Sequence, residues 1–99
     1  MYVMQLTRFK GGKDAEMVKS AKAAAAIIQK HGAEFFRLQK FHSGPFVGEW
    51  LVAIRFADWT TYGKVQDALA KDADYQALFA KVLGTAELTF RAVATGVDL

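Results

Sequence analysis

The chain has 99 residues, a formal net charge of +3 and a sequence pI near 9.3, the size of one domain that buries roughly two-thirds of its unfolded surface. It contains no cysteine, which excludes disulfides, zinc–thiolate sites, iron–sulfur clusters and thiol nucleophiles and fits a reducing cytoplasm. The basic residues are scattered, no charged-then-apolar leader follows Met1, and the longest apolar run, Ala23 to Ile28, is far short of the ~20 residues of a membrane span.

Tyr2 to Phe9 alternates Tyr2, Met4, Leu6 and Arg8 with Val3, Gln5, Thr7 and Phe9, a strand period that Gly11-Gly12 stops. Asp14 is read as a helix N-cap. The alanine-rich segment Ala15 to His31 then places Met17, Ala21, Ala24, Ala25 and Ile28 on one stripe, with Gly32 as the C-terminal cap. A stripe so rich in alanine predicts a helix lying close to what it covers.

Glu34 to Phe56 reads as two strands joined through Ser43-Gly44-Pro45 and Gly48. Asp58 caps a second helix carrying Trp59, Tyr62, Val65 and Leu69 at core spacing. A break at Lys71 to Ala73 follows, and Asp72 or Asp74 caps a further turn in which Tyr75, Leu78, Phe79 and Val82 face inward. Gly84 ends it, and Ala86 to Thr95 is the last strand. No linker or second domain interrupts residues 1–99.

The order β-α-β-β-α-β predicts an α+β, ferredoxin-like domain with a four-stranded antiparallel sheet in the order 4-1-3-2 and the helices on one face. We expect Met4, Leu6, Phe36, Leu38, Val52, Ile54, Phe56, Leu88 and Phe90 beneath the helices. The opposite face would carry Val3, Gln5, Thr7, Phe9, Phe35, Arg37, Gln39, Phe41, Leu51, Ala53, Arg55, Thr89, Arg91 and Val93. A sheet face open to water is mainly polar. This one keeps several large apolar groups, and 53% of the residues are hydrophobic. The expectation is therefore a homodimer that packs two such faces together, its arginines pairing with Glu49 and Glu87. A monomer with scattered apolar surface is the alternative.

The segments HGAEFFRLQKFHSGPFVGEWLVAIRFADWTTY (His31 to Tyr62) and DADYQALF (Asp72 to Phe79), set in this plan, resemble the dimeric α/β-barrel superfamily. Its members include NIPSNAP-like, EthD-like, muconolactone-isomerase-like, stress-responsive and antibiotic-biosynthesis-monooxygenase proteins. The resemblance implies a ligand held between sheet and helices in each subunit, with the two sheets packed into a barrel. It transfers no catalytic signature.

His42, beside the Gly-Pro turn, is the first candidate for a general base because imidazole titrates near neutrality. The resemblance to haem-degrading relatives also allows it as a haem ligand, and a solvated turn histidine is the plain alternative. Tyr62 is the second acid–base candidate. Trp50, Trp59, Tyr62 and Tyr75 are candidates for the aromatic walls of a pocket for a flat ligand, and Arg37, with Arg55 and Arg91, for a carboxylate partner. Core packing and ion pairing explain the same residues without a ligand. His31 closes a helix, where a cation offsets the dipole.

No metal site is expected, since His31 and His42 stand without cysteines. No cofactor is called for. No phosphate loop, no distinctive Ser-His-Asp order and no RNA-binding signature strand is present. Two functions remain from this reading. One is a cofactor-independent monooxygenase or isomerase for a hydrophobic aromatic compound, and the other is a non-catalytic ligand-binding or stress-related module.

Overall fold

In the computed structural model, which describes residues 1–99, seven elements follow one another: β1 (Val3–Gly11), α1 (Asp14–Lys30), β2 (Phe35–Lys40), β3 (Trp50–Phe56), α2 (Trp59–Lys71), α3 (Ala73–Leu83) and β4 (Ala86–Thr95). The strands form one antiparallel sheet in the order β2-β3-β1-β4, the expected 4-1-3-2 read from the other edge. The fold is ferredoxin-like, with the second helix divided in two. No helix is long and apolar enough to cross a membrane.

Local chemistry explains most element ends. The Thr61 backbone N–H donates to Asp58 Oδ1 at 2.7 Å, capping α2, and the Tyr75 N–H donates to Asp72 Oδ1 at 3.0 Å, capping α3. Asp72 also ends α2, with an extended backbone at φ −85° and ψ 106°, so the break expected at residues 71–73 is real. After α1 the chain turns through Gly32 at φ +127°, a conformation that glycine adopts without steric cost. The N-cap of α1 is Lys13 rather than Asp14, and no side chain caps it. The Asp14 carboxylate instead accepts from Lys40 Nζ at 2.9 Å, tying the start of α1 to the end of β2.

The face expected beneath the helices is correct for β2 and β3 and reversed for β1. Val3, Gln5, Thr7 and Phe9 are buried, whereas Met4, Leu6 and Arg8 are half-buried. Pairing explains this: Val3 lies opposite Phe56, Gln5 opposite Ile54, Thr7 opposite Val52 and Phe9 opposite Trp50. Partners across a ladder share a face, so the covered residues of β3 take Gln5 and Thr7 with them. In β4 a bulge opposite Arg8 and Phe9 leaves Thr89 as the extra residue. Leu88 therefore packs on the core, Phe90 turns to the open face with Arg8, and Arg91 returns to the helix side. The Thr89 hydroxyl bonds Glu49 Oε1 at 2.7 Å.

Val3, Ile28, Phe56 and Val65 are the most deeply buried apolar side chains. Phe56 meets Tyr62 edge-on with ring centroids 5.1 Å apart, and so ties β3 to α2. Replacing Phe56 by Ala is expected to lower unfolding free energy by about 3–5 kcal/mol, measured by urea denaturation at unchanged m-value.

Candidate functional site

Between the helices and the sheet lies a cavity of about 60 Å³ lined by 17 residues, 13 of them hydrophobic. The floor comes from β1, β2 and β3. One wall is α1, which contributes Met17, Ser20, Ala21, Ala24 and Ile28, and the other is α3, which contributes Tyr75, Leu78, Phe79 and Val82. The only hydrophilic lining residues are Gln5, Thr7, Ser20 and Arg91. No carboxylate, histidine or lysine is among them, so Arg91 is the sole formal charge.

These polar groups are held in place. Gln66 Nε2 donates to Gln5 Oε1 at 3.0 Å, which occupies the Gln5 oxygen and leaves its amide N–H groups as what it offers the cavity. Arg91 Nε donates to Thr7 Oγ1 at 3.1 Å. Thr7 is 2% exposed, whereas Arg91 as a residue is exposed, so the guanidinium reaches from the cavity mouth toward its floor. Its carbon stands 5.7 Å from the Phe79 ring centre, within cation–π range. Phe79 stacks in turn on Tyr75 at 6.0 Å and 17°. Burial pushes the Tyr75 phenol above the ordinary value of 10.0, an effect partly opposed by the positive charge of Arg91. Tyr75 is thus a firmly protonated hydroxyl beside a cation.

The other residues singled out by the sequence lie elsewhere. His42 is exposed in the β2–β3 loop. Tyr62 is sandwiched edge-on between Phe56 and Trp59, and Trp59 itself is 54% exposed. Trp50 is buried in the core with Lys40 Nζ 4.9 Å from its ring. Arg37 lies on the open sheet face, 4.3 Å over the Phe35 ring. None of the five borders the cavity, and apart from the Tyr62–Trp59 contact the structure does not bring them together.

Within the chain, Glu49 meets Arg8 at 3.4 Å, Arg55 donates to Glu34 at 3.1 Å, and Arg91 bonds Thr7. Arg8 is held between aromatic rings, 3.5 Å from the Phe46 centre and 4.9 Å from that of Phe90, with its Nε buried and without a hydrogen bond. Asp72 accepts from His31 Nε2 at 2.8 Å. That bond, followed by the one from the Tyr75 N–H, holds the Asp72 carboxyl below its ordinary range. No group of three or more His, Cys, Asp and Glu side chains is disposed to hold a metal ion.

No protein-family model matches the chain, and no curated protein matches it in sequence. Solved structures do match in fold. A variant of SnoaB, a cofactor-independent oxygenase from Streptomyces nogalater, superposes with a TM-score of 0.77 at 12% identity, over 99% of this chain and 95% of that one. An uncharacterized NIPSNAP domain protein from Burkholderia xenovorans gives 0.74 at 21% identity, over 98% and 95%. A dimeric ferredoxin-like protein from an uncultured marine organism gives 0.70 at 13% identity, over 98% of each. The ferredoxin-like fold is common to all of them.

The chain has three tyrosines, and ultraviolet titration is expected to show one of them ionising late, a component that Tyr75→Phe removes. The folded chain keeps that proton more tightly than the unfolded chain. Stability is therefore present below the ordinary tyrosine pKa and is lost as pH rises above it, which Tm measured across that range will show.

Proposed function

We propose that the chain is a homodimeric, cytoplasmic protein that binds a flat hydrophobic compound between its helices and sheet, with an oxygen of that compound facing Arg91. We further propose that it acts as a cofactor-independent oxygenase or isomerase on that compound. The observation that carries this reading is the composition of the cavity: apolar walls, hydrogen-bond donors at one side, and one cation with no acid to neutralise it. An apolar site with a few convergent polar groups is the usual form of a small-molecule site. At its mouth, a guanidinium oriented by Thr7 offers a charge-assisted hydrogen bond to a phenolate, enolate or carboxylate.

The chemistry follows from what lines the site. No side chain there is poised as a base at neutral pH, so the substrate must bring its own acidity, and Arg91 stabilises the resulting anion. A ring-conjugated carbanion or phenolate is electron-rich enough to react with dioxygen, or to be reprotonated elsewhere for isomerisation. The substrate proton leaves to solvent through the cavity mouth and is regained from there, while Tyr75, kept protonated by burial, donates a hydrogen bond to the anion. Of the aromatic and arginine candidates in the sequence, Tyr75 and Arg91 are the ones that line the cavity; His42, Tyr62 and Arg37 do not. The fold similarity to SnoaB, itself a cofactor-independent oxygenase, supports the oxygenase form. The missing base favours a second reading, a ligand-binding module without turnover.

The homodimer is supported by the open sheet face. Leu6, Phe35 and Leu51 lie there only half-buried, and Phe90 is 43% exposed. A face of this kind suits a second copy turned by a two-fold axis, and one structure of the same fold is itself described as dimeric. Light scattering is expected to give twice the chain mass, and Leu51→Glu to give the monomer; a monomeric parent protein would refute the dimer.

For the site, naphthoate is expected to bind and to shift the amide resonances of Thr7, Gln5 and Tyr75. Arg91→Gln should weaken it by roughly tenfold or more, the loss of one charge-assisted hydrogen bond. Oxygen uptake with polycyclic phenols then separates the two readings: uptake that Arg91→Gln abolishes marks the oxygenase, and binding without turnover marks the module.

A further inference from the structure

The cavity is smaller than its proposed ligand. Its volume of about 60 Å³ equals about two waters, whereas an engineered cavity that admits benzene measures about 150 Å³. A ligand seated wholly between helices and sheet therefore displaces one wall. The floor is hydrogen-bonded sheet in which Val52, Ile54 and Phe56 are buried, and α1 is anchored by Met17 and Ile28. α3 differs from both because it has no buried residue at all, although Tyr75, Leu78, Phe79 and Val82 line the cavity. It is bounded by the extended Asp72 and by Gly84. Segments with few fully buried contacts are those that open locally at least cost.

One contact ties the root of this helix to the opposite wall. His31, the C-cap of α1, donates through Nε2 to Asp72 Oδ2 at 2.8 Å, while the other carboxylate oxygen caps α3 by accepting from the Tyr75 N–H. Both side chains are largely sheltered, at 21% and 13% exposure. A single carboxylate thus joins the last turn of α1 to the first turn of α3.

We propose that α3 is a roof that lifts about Asp72 and Gly84 to admit the ligand, and that the His31–Asp72 hydrogen bond is the latch that sets how often it lifts. This rests on the reading of the cavity as a ligand site. The latch and the helix cap use different oxygens of Asp72, so they can be separated. Asp72→Ser keeps a capping hydroxyl but has no second oxygen for His31, and His31→Leu removes the donor and leaves the cap untouched.

Amide hydrogen exchange on the full chain tests the roof without any ligand. In the parent protein, residues 75–83 should exchange faster than residues 17–28 of α1. Both variants should speed residues 75–83 by roughly tenfold, the equilibrium weight of one strong hydrogen bond, with α1 unchanged. Stopped-flow mixing with naphthoate should show association and dissociation rising together in both variants, leaving Kd nearly constant. Exchange in α3 as slow as in α1, or unmoved by both substitutions, overturns the roof and its latch. Faster exchange with no naphthoate binding upholds the moving roof and overturns the ligand reading instead.

Discussion

The register between β1 and β3 decides what this molecule can do. Seven consecutive pairs, from Val3 opposite Phe56 to Phe9 opposite Trp50, place Gln5 and Thr7 beneath the helices among apolar partners. A shift of one residue would turn both outward and bring Met4, Leu6 and Arg8 in. The cavity would then face a different cation, and Arg91, in line with Thr7 through β4, would lose the hydroxyl that orients it. The deep burial of Val3 and Phe56 at one end, and of Phe9 and Trp50 at the other, makes that shift costly. The ends of the strands thus hold the polar middle in place.

This arrangement also accounts for what could be read from the residues alone. Strand and helix periods, the glycine stops and the aspartate caps at Asp58 and Asp72 are local signals, and they locate every element, including the break at Asp72; Asp14, expected to cap α1, bonds Lys40 instead. The inner face of β1 is not a local property. Tyr2, Met4, Leu6 and Arg8 are no more polar than Val3, Gln5, Thr7 and Phe9, so hydropathy alone cannot choose between the two sets. The choice is made by pairing with β3, whose Val52 and Ile54 are buried. Gln5 and Thr7 then resemble surface residues because they border a cavity, where a polar side chain is satisfied by Gln66 and Arg91 rather than by water.

The candidate site is legible only in part: Tyr75 and Arg91 stand among several aromatic and arginine candidates, and nothing in the sequence picks them out. Arg91 falls on the helix side only because Thr89 is an extra residue in β4, and a bulge leaves no mark in a sequence as short as LTFRAV. Tyr75 reads as one more inward aromatic at helical spacing, and its meaning comes from its neighbours. His42 attracted notice through an intrinsic property, a pKa near neutrality, which says nothing of where the fold puts it. His42 lies on a loop, Arg37 on an edge strand, and Trp50 and Tyr62 are packed away from the cavity, whereas the polar residues that share the cavity are ordinary ones brought together by strand order.

Why the core keeps a hollow at all can be traced to the unequal walls. α1 presents Ser20, Ala21 and Ala24 to the cavity, and α3 presents Tyr75, Leu78, Phe79 and Val82. Small side chains opposite large ones would normally interdigitate, as close packing favours. Here the Arg91 guanidinium stands at the mouth over Phe79, and Gln5 and Thr7 rise from the floor. A leucine in place of Ala24 would fill the space and strengthen the core by burying more apolar surface, but it would also seal Arg91 and Gln5 from anything but each other. The alanines of α1 therefore do two things at once. They favour the helix through their intrinsic propensity, and they leave open the volume into which the polar groups of the sheet are directed.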